Sequence, residues 1–207
     1  MVNSKGNPVA ILLFNKGAVT TDPKGEVHMN RHVQNVGSHP KKEFTEFSWY
    51  ITGFIDGEGC FSISFNKRAK LKTGLEIRPS FSVAQNKRSL TTLKDIHSHF
   101  GCGAIRFSKY DQTYKYEVRS IGDLRKSIIP HFKKFPLKTA KQNDFLIFAN
   151  ICDLIASSHH LNSQTLVNII EQSYLMNESG KRKYTKEQLL KILVRWKYSL
   201  ICLETNS

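Results

Sequence analysis

The sequence predicts an α+β fold in which a four-stranded antiparallel sheet carries helices on one face and leaves the other face polar. Three observations predict it. Apolar residues recur at helical spacing and then switch to alternation, and this switch occurs twice along the chain. Each alternating segment is apolar on one side only, so the sheet has one face to bury and one free for a partner. The 207 residues hold 31 Lys+Arg against 17 Asp+Glu, a net charge of +14. Such a field gathers polyanions, which makes nucleic acid the favoured partner; a membrane is not expected as a partner, because no basic amphipathic helix stands out.

The elements follow in order. Residues 1–43 carry Gly6, Pro8, Gly17, Pro23, Gly25, Gly37 and Pro40 among scattered Lys and His, with no sustained period. They are predicted to be a flexible basic N-terminal extension ahead of a domain at 44–207. Phe47, Tyr50, Ile51, Phe54 and Ile55 fall at helical spacing, and this helix ends in Gly57-Glu58-Gly59. Phe61, Ile63 and Phe65 then alternate with Cys60, Ser62, Ser64 and Asn66, which predicts a strand with one apolar face. After the basic loop 67–74, a second alternating strand runs from about Glu76 to Ala84, with Ile77, Phe81 and Val83 on its apolar side. The two should pair as an antiparallel hairpin. Ser89 is placed to cap a helix to Phe100, with Leu90, Leu93, Ile96 and Phe100 inward and Gly101 and Gly103 ending it. Strands at about 104–108 and 113–119 come next, then helices at 121–132, 140–157, 163–177 and 185–200. Thr185 and Gln188 have the spacing of a capping box for the last helix.

Several classes are disfavoured. Cys60, Cys102, Cys152 and Cys202 stand about 40 to 50 residues apart with no Cys-x-x-Cys pair, which argues against a zinc finger and for reduced thiols. Val9–Phe14 is too short an apolar stretch for a signal-peptide core, and no run approaches a membrane span. The histidines have no convincing metal-ligand spacing. The 13 Phe are expected in the core rather than stacked on bases.

The informative segment is Trp49-Tyr50-Ile51-Thr52-Gly53-Phe54-Ile55-Asp56-Gly57-Glu58-Gly59. Its small residues Thr52 and Gly53 suit close contact with another helix. Its acid comes at the C-terminal end of the helix, disfavoured there by about 0.3–1 kcal/mol unless a cation compensates. A bound divalent metal would do so.

Residues Ile51 to Gly59 resemble the LAGLIDADG signature of homing endonucleases, in the single-motif class whose members act as homodimers. The order of elements over roughly 44–157 resembles that family's αββαββα core, with additional C-terminal helices beyond it. The resemblance implies a Mg²⁺- or Mn²⁺-dependent endodeoxyribonuclease. It implies that Glu58, where many members have Asp, binds the metal together with the Gly57 carbonyl. It makes Asp56 more structural than catalytic. Gln85 matches the polar residue that organises water, and Lys138, with Lys141 second, matches the base beside the scissile phosphate. Tyr50, Thr52, Gly53 and Asp56 are assigned to the dimer interface.

Phosphodiester hydrolysis needs a positioned water, a cation for developing charge and help for the leaving oxygen. One Glu supplies too few ligands for this. With a single motif in the chain, two chains would bring two Glu58 side chains together, one site for each DNA strand. The expected reaction is a double-strand break in a long, roughly palindromic target, promoting intron mobility. A two-stranded ribbon fits the major groove. The residues expected to face DNA are Cys60, Ser62, Ser64, Asn66, Arg78, Ser80 and Ser82 on the first hairpin and Arg106, Ser108, Lys115, Glu117 and Arg119 on the second. Lys67, Arg68 and Lys70 are suited to phosphate. The alternatives are a maturase acting on its own intron RNA and a DNA-binding regulator without catalysis. Retention of Glu58 favours cleavage over the first, and Glu58, Gln85 and Lys138 together count against the second. The resemblance places the gene in an intron of a mitochondrial or chloroplast genome.

Overall fold

The computed structural model describes residues 40–194, apart from Lys72, His159, Leu161, Glu178 and Ser179, together with two short strands at 19–21 and 27–29. The chain divides into two units, Met1–Lys42 and Glu43–Ser207. In the first, β1 (Val19–Thr21) and β2 (Val27–Met29) pair antiparallel, with Thr20 opposite His28. No strand is predicted there from the sequence, because three residues are too few to show alternation. The rest of the extension, and the flexibility expected of it, lie outside the described residues.

The second unit follows the predicted order. Helix α1 (Pro40–Glu58) leads into β3 (Gly59–Lys67) and β4 (Leu75–Asn86). Then come α2 (Leu90–Phe100), β5 (Ala104–Ser108) and β6 (Thr113–Val118). The sheet is fully antiparallel in the order β3-β4-β6-β5. A helical segment of three parts follows: α3 (Ile121–Asp123), a π turn (Leu124–Ile128) and α4 (Ile129–Lys134). The sequence predicts one regular helix there. Pro130 has no N–H to give and its ring crowds the carbonyl of Lys126, which the wider π turn accommodates. Helices α5 (Lys141–Ala156) and α6 (Ser163–Ser173) complete the cover, and a last helix, α7, occupies 186–194. The predicted end of α7 at 200 lies outside the described residues.

The alternation puts its apolar set inward. Phe61, Phe81, Val83, Tyr116 and Val118 are fully or almost fully buried from the sheet side, facing Ile55, Leu93, Phe132, Phe145 and Phe148 from the helices. Phe61 is the hub, its ring centroid 5.3 Å from those of Phe81, Phe132, Phe145 and Phe148. Of the described phenylalanines, Phe61, Phe65, Phe81, Phe100, Phe132, Phe135, Phe145 and Phe148 are core, as expected, whereas Phe44 and Phe107 are 53% and 45% exposed. Among the described residues no helix is long and apolar enough to cross a membrane, and Cys60, Cys102 and Cys152 are free thiols.

Two local devices differ in detail from the prediction. Ser89 makes no side-chain cap; Asn86 accepts from the Arg88 N–H at 2.9 Å and starts a 3₁₀ turn that runs into α2. The capping box forms as predicted, with Thr185 N–H donating to Gln188 Oε1 at 3.0 Å and Gln188 N–H to Thr185 Oγ1 at 3.3 Å. The handover from α1 to β3 needs glycine, since a Cβ on Gly59 would come within 2.8 Å of the Ile55 carbonyl oxygen.

Candidate active site

The last turn of α1 leaves carbonyls without helical donors. Lys141, the first residue of α5, supplies them: its Nζ donates to the carbonyls of Ile55 at 2.9 Å and Asp56 at 2.8 Å. Asp56 returns the contact. Its carboxylate accepts from the backbone N–H groups of Lys138 at 2.8 Å and Thr139 at 3.1 Å, and from the Thr139 hydroxyl. Residues 138–141 and the end of the motif are therefore clasped together across some eighty positions of chain. Burial pushes the Asp56 carboxyl up, but these hydrogen bonds and the Lys141 charge outweigh it and hold it below the usual carboxylate range. Burial lowers the Lys141 ammonium, and the charges of Asp56, Cys60 and Glu58 oppose that only in part.

Glu58 follows at the tip. Its side chain and Gly57 are exposed, and its charge is felt by Lys141. Strand β4 runs past the start of β3, so Gln85 sits at the same end of the sheet, half-buried and opposite Tyr114. Alternation puts Gln85 on the side of Phe81 and Val83. Of the two lysines, Lys141 has its ammonium at the motif, whereas Lys138 offers its backbone N–H there and keeps an exposed side chain. Among the described residues no three His, Cys, Asp or Glu converge, so Glu58 would meet a divalent cation as one carboxylate, with the Gly57 carbonyl beside it. That set fits an ion such as Mg²⁺, which takes one or two carboxylates and completes its shell with phosphate oxygens and water.

The assignments to a dimer face divide. Tyr50 is 50% exposed, and Gly53 and Gly57 open outward with nothing within 4 Å of an added Cβ. Thr52 does not belong with them. Successive helical residues point about 100° apart, so Thr52 turns inward: it is 3% exposed and its hydroxyl donates to the Phe135 carbonyl at 3.1 Å. Asp56 is also directed away, to the clasp just described. Sequence reasoning assigned no role to His131, which is 8% exposed under the motif helix. Its Nε2 lies 3.2 Å from Thr52 Oγ1 and its Nδ1 3.2 Å from His99 Nε2. Because the Thr52 hydroxyl is already a donor, His131 donates from Nε2 and accepts at Nδ1 from His99, so the chain runs in one direction through neutral rings.

The LAGLIDADG endonuclease profile matches residues 51–152, the span from the motif helix to α5. The chain belongs to the LAGLIDADG endonuclease family. The solved homing endonuclease I-TnaI is 32% identical, with a TM-score of 0.63 over 72% of this chain and 97% of its own. An archaeal intron-encoded homing endonuclease solved with DNA is 29% identical, with a TM-score of 0.69 over 74% of this chain and 98% of its own. A protein encoded in ND4 intron 1 of Podospora anserina is 36% identical over 55% of this chain and 25% of its own length. A probable intron-encoded endonuclease of Neurospora crassa is 32% identical over 70% of this chain and 32% of its own. The chain thus spans a quarter to a third of these two curated relatives, and almost the whole of the two solved enzymes.

In this LAGLIDADG chain the polar sheet face forms a grid. Ser62 stands opposite Ser80, Ser64 opposite Arg78, Cys60 opposite Ser82, Ser82 opposite Glu117 and Arg106 opposite Lys115. Ser108 and Arg119 flank this grid, and Asn66, Lys67, Arg68 and Lys70 continue it into the loop. Two predicted contacts are shut in. Ser80 and Ser82 are only 8% and 6% exposed, and Ser80 Oγ donates to Glu117 Oε1 at 3.0 Å. Glu117 itself is held by Lys115 at 3.3 Å and Arg119 at 3.0 Å. Burial raises its carboxyl, but the Ser80 hydrogen bond and these cations outweigh it and keep it below the usual range. Glu117 engages Ser80 and stands opposite Ser82 in the register, a pairing that strand alternation alone does not reveal. Arg106 and Lys115 are exposed and carry the face.

Proposed function

We propose that this protein is a site-specific homing endonuclease that makes a double-strand break in a long, roughly palindromic duplex as a homodimer, using Mg²⁺ or Mn²⁺. The observation that carries the reading is the clasp at the end of α1, which gathers Glu58, Lys141 and the Lys138–Thr139 backbone at one tip beside a basic sheet face. The names of the relatives support intron mobility as the biological outcome, and an organellar intron as the gene's place. The related I-SmaMI was solved on uncleaved DNA with calcium ions, which supports a divalent cation at the site.

Glu58 and the Gly57 carbonyl would hold the ion, whose charge stabilises the phosphorane-like transition state. Gln85, at the strand end, orients the attacking water. The water oxygen bonds to phosphorus and gives up a proton to solvent, the P–O ester bond breaks, and the leaving oxygen takes up a proton from solvent. Lys141 has the better claim of the two lysines to the phosphate side, since its ammonium already shares the tip with Glu58. The sheet face reads bases through Arg106, Lys115, Arg78, Asn66 and the exposed serines, while Lys67, Arg68 and Lys70 meet phosphates.

Dimerisation is supported by Gly53 and Gly57. Helix-interior glycine costs about 0.5–1 kcal/mol relative to Ala, and among the described residues nothing comes within 4 Å of a Cβ added at either one. Close approach of a second α1 would explain both, and it would place two Glu58 tips side by side. The test is to incubate wild type and Glu58→Gln with a randomised duplex library and Mg²⁺ and to sequence the cut ends. Specific cuts by wild type alone support the reading. No cutting by either, with tight binding to a structured intron RNA, would replace it with the maturase reading.

A further inference from the structure

Beyond α6 the chain returns along the open edge of the sheet, where β3 lies. Asn177, in the left-handed region at φ 48, donates from Nδ2 to the Phe61 carbonyl of β3 at 2.7 Å, and its N–H donates to Asp144 Oδ1 at 3.3 Å. Arg182 fixes the next stretch. Its guanidinium donates to the carbonyls of Ser173, at 2.7 Å, and Met176 and lies 4.4 Å from the Tyr174 ring centroid. The Tyr174 hydroxyl in turn donates to the Tyr184 carbonyl.

Arg182 is thus spent inside the fold, and the lysines on either side of it are not. Lys181 and Lys183 are exposed. Lys183 Nζ lies 5.3 Å from the Tyr184 ring centroid and Lys67 Nζ lies 5.1 Å from the same ring. Two ammonium groups share one aromatic ring, and among the described residues none of Lys67, Lys181 and Lys183 has a carboxylate partner. Like charges gathered in this way repel until an anion arrives. Between them and Ser62, Ser64 and Asn66 of the polar face runs a groove of about 530 Å³.

We infer that Lys67, Lys181 and Lys183 form a clamp for the sugar–phosphate backbone of duplex DNA at the β3 edge, continuous with the base-reading sheet. This rests on the nuclease reading. The groove shares its wall with the sheet face, so a duplex lying on the sheet would bring a phosphate strand to this edge. These ammoniums act as point charges and stand at the sheet edge rather than on its base-reading face. The clamp therefore adds affinity and sets register without adding base preference.

The experiment measures binding of the full chain to a long mixed-sequence duplex across a salt series. It compares wild type, Lys181→Gln/Lys183→Gln and Lys181→Arg/Lys183→Arg, with the cleavage-library profile of each. Each lost phosphate contact should lower the slope of log affinity against log salt by about 0.9, so the Gln pair should lower it by about 1.8. Between 50 and 200 mM salt that difference makes wild type lose about twelvefold more affinity than the variant. The Arg pair should restore the slope, and the base preferences of cutting should not move. A Gln variant with the wild-type slope, or with altered base preference, overturns the clamp while leaving the nuclease standing. A wild-type chain that binds no duplex overturns both.

Discussion

Single residues do different work at the motif tip, and substitutions should separate them. Glu58 is exposed and among the described residues makes no hydrogen bond that holds the fold, so Glu58→Gln should abolish cleavage and leave duplex affinity and melting temperature unchanged. Lys141→Gln should cost both activity and stability, because it leaves the carbonyls of Ile55 and Asp56 without their donor. Lys138→Gln should cost neither as much, since only its backbone N–H is engaged. Parallel cleavage and urea titrations of the three variants check this; equal losses at 138 and 141 would defeat the assignment. His131 gives a pH dependence. Burial, helped by the neighbouring His99, pushes its pKa down to about 4. The unfolded chain takes up this proton as pH falls through the ordinary 6.5, and the folded chain does not until about 4. Stability is therefore full above that upper value and falls with pH across the window, by about 3 kcal/mol in all. Asp56 and Glu117, held below the usual carboxylate range, add their losses as pH falls past the ordinary values of 3.8 and 4.5. A urea midpoint that stays level between neutral pH and pH about 5 would rule out the His131 contribution.

At the scale of elements, much of the fold was legible because each strand has one buried face and one polar face, and the period says which residues share a side. Phe61, Ile63 and Phe65 illustrate it, and Phe61→Ala should cost about 3–5 kcal/mol in urea unfolding, since four aromatic rings close on it. Adjacency in sequence misled where angle mattered. Thr52 and Gly53 are neighbours in the chain, yet one packs on α4 and the other faces out. Ser80 and Ser82 alternate correctly and are still shut in, because the length of Glu117 on the next strand cannot be weighed without the register. The Lys138–Thr139 contact to Asp56 and the edge segment around Asn177 have no local signature at all; their partners are set by tertiary approach. Gly53→Ala separates local from intermolecular effects. It should stabilise an isolated α1 by up to about 1 kcal/mol and weaken dimerisation. Sedimentation at graded concentrations reads the second effect, and an unchanged dimer would remove α1 from the interface.

For the whole molecule, the net charge is +14, and on the polar sheet face the half-buried acids Glu76 and Glu117 are each paired with cations, Arg68 and Arg78 for the first and Lys115 and Arg119 for the second. The resulting field should draw DNA from a distance and lose that advantage as salt rises. Association rates should therefore fall with ionic strength more steeply than dissociation rates rise, which stopped-flow mixing can read. The clasp at the end of α1 has a further consequence for how the protein is made. The motif leaves the ribosome before the donors that hold its last turn, at 138, 139 and 141, which follow about eighty residues later. A nascent or prematurely stopped chain ending before them would present Glu58 on an unanchored helix tip. On the proposed nuclease reading, cutting should therefore require that the sheet and the start of α5 have been synthesised.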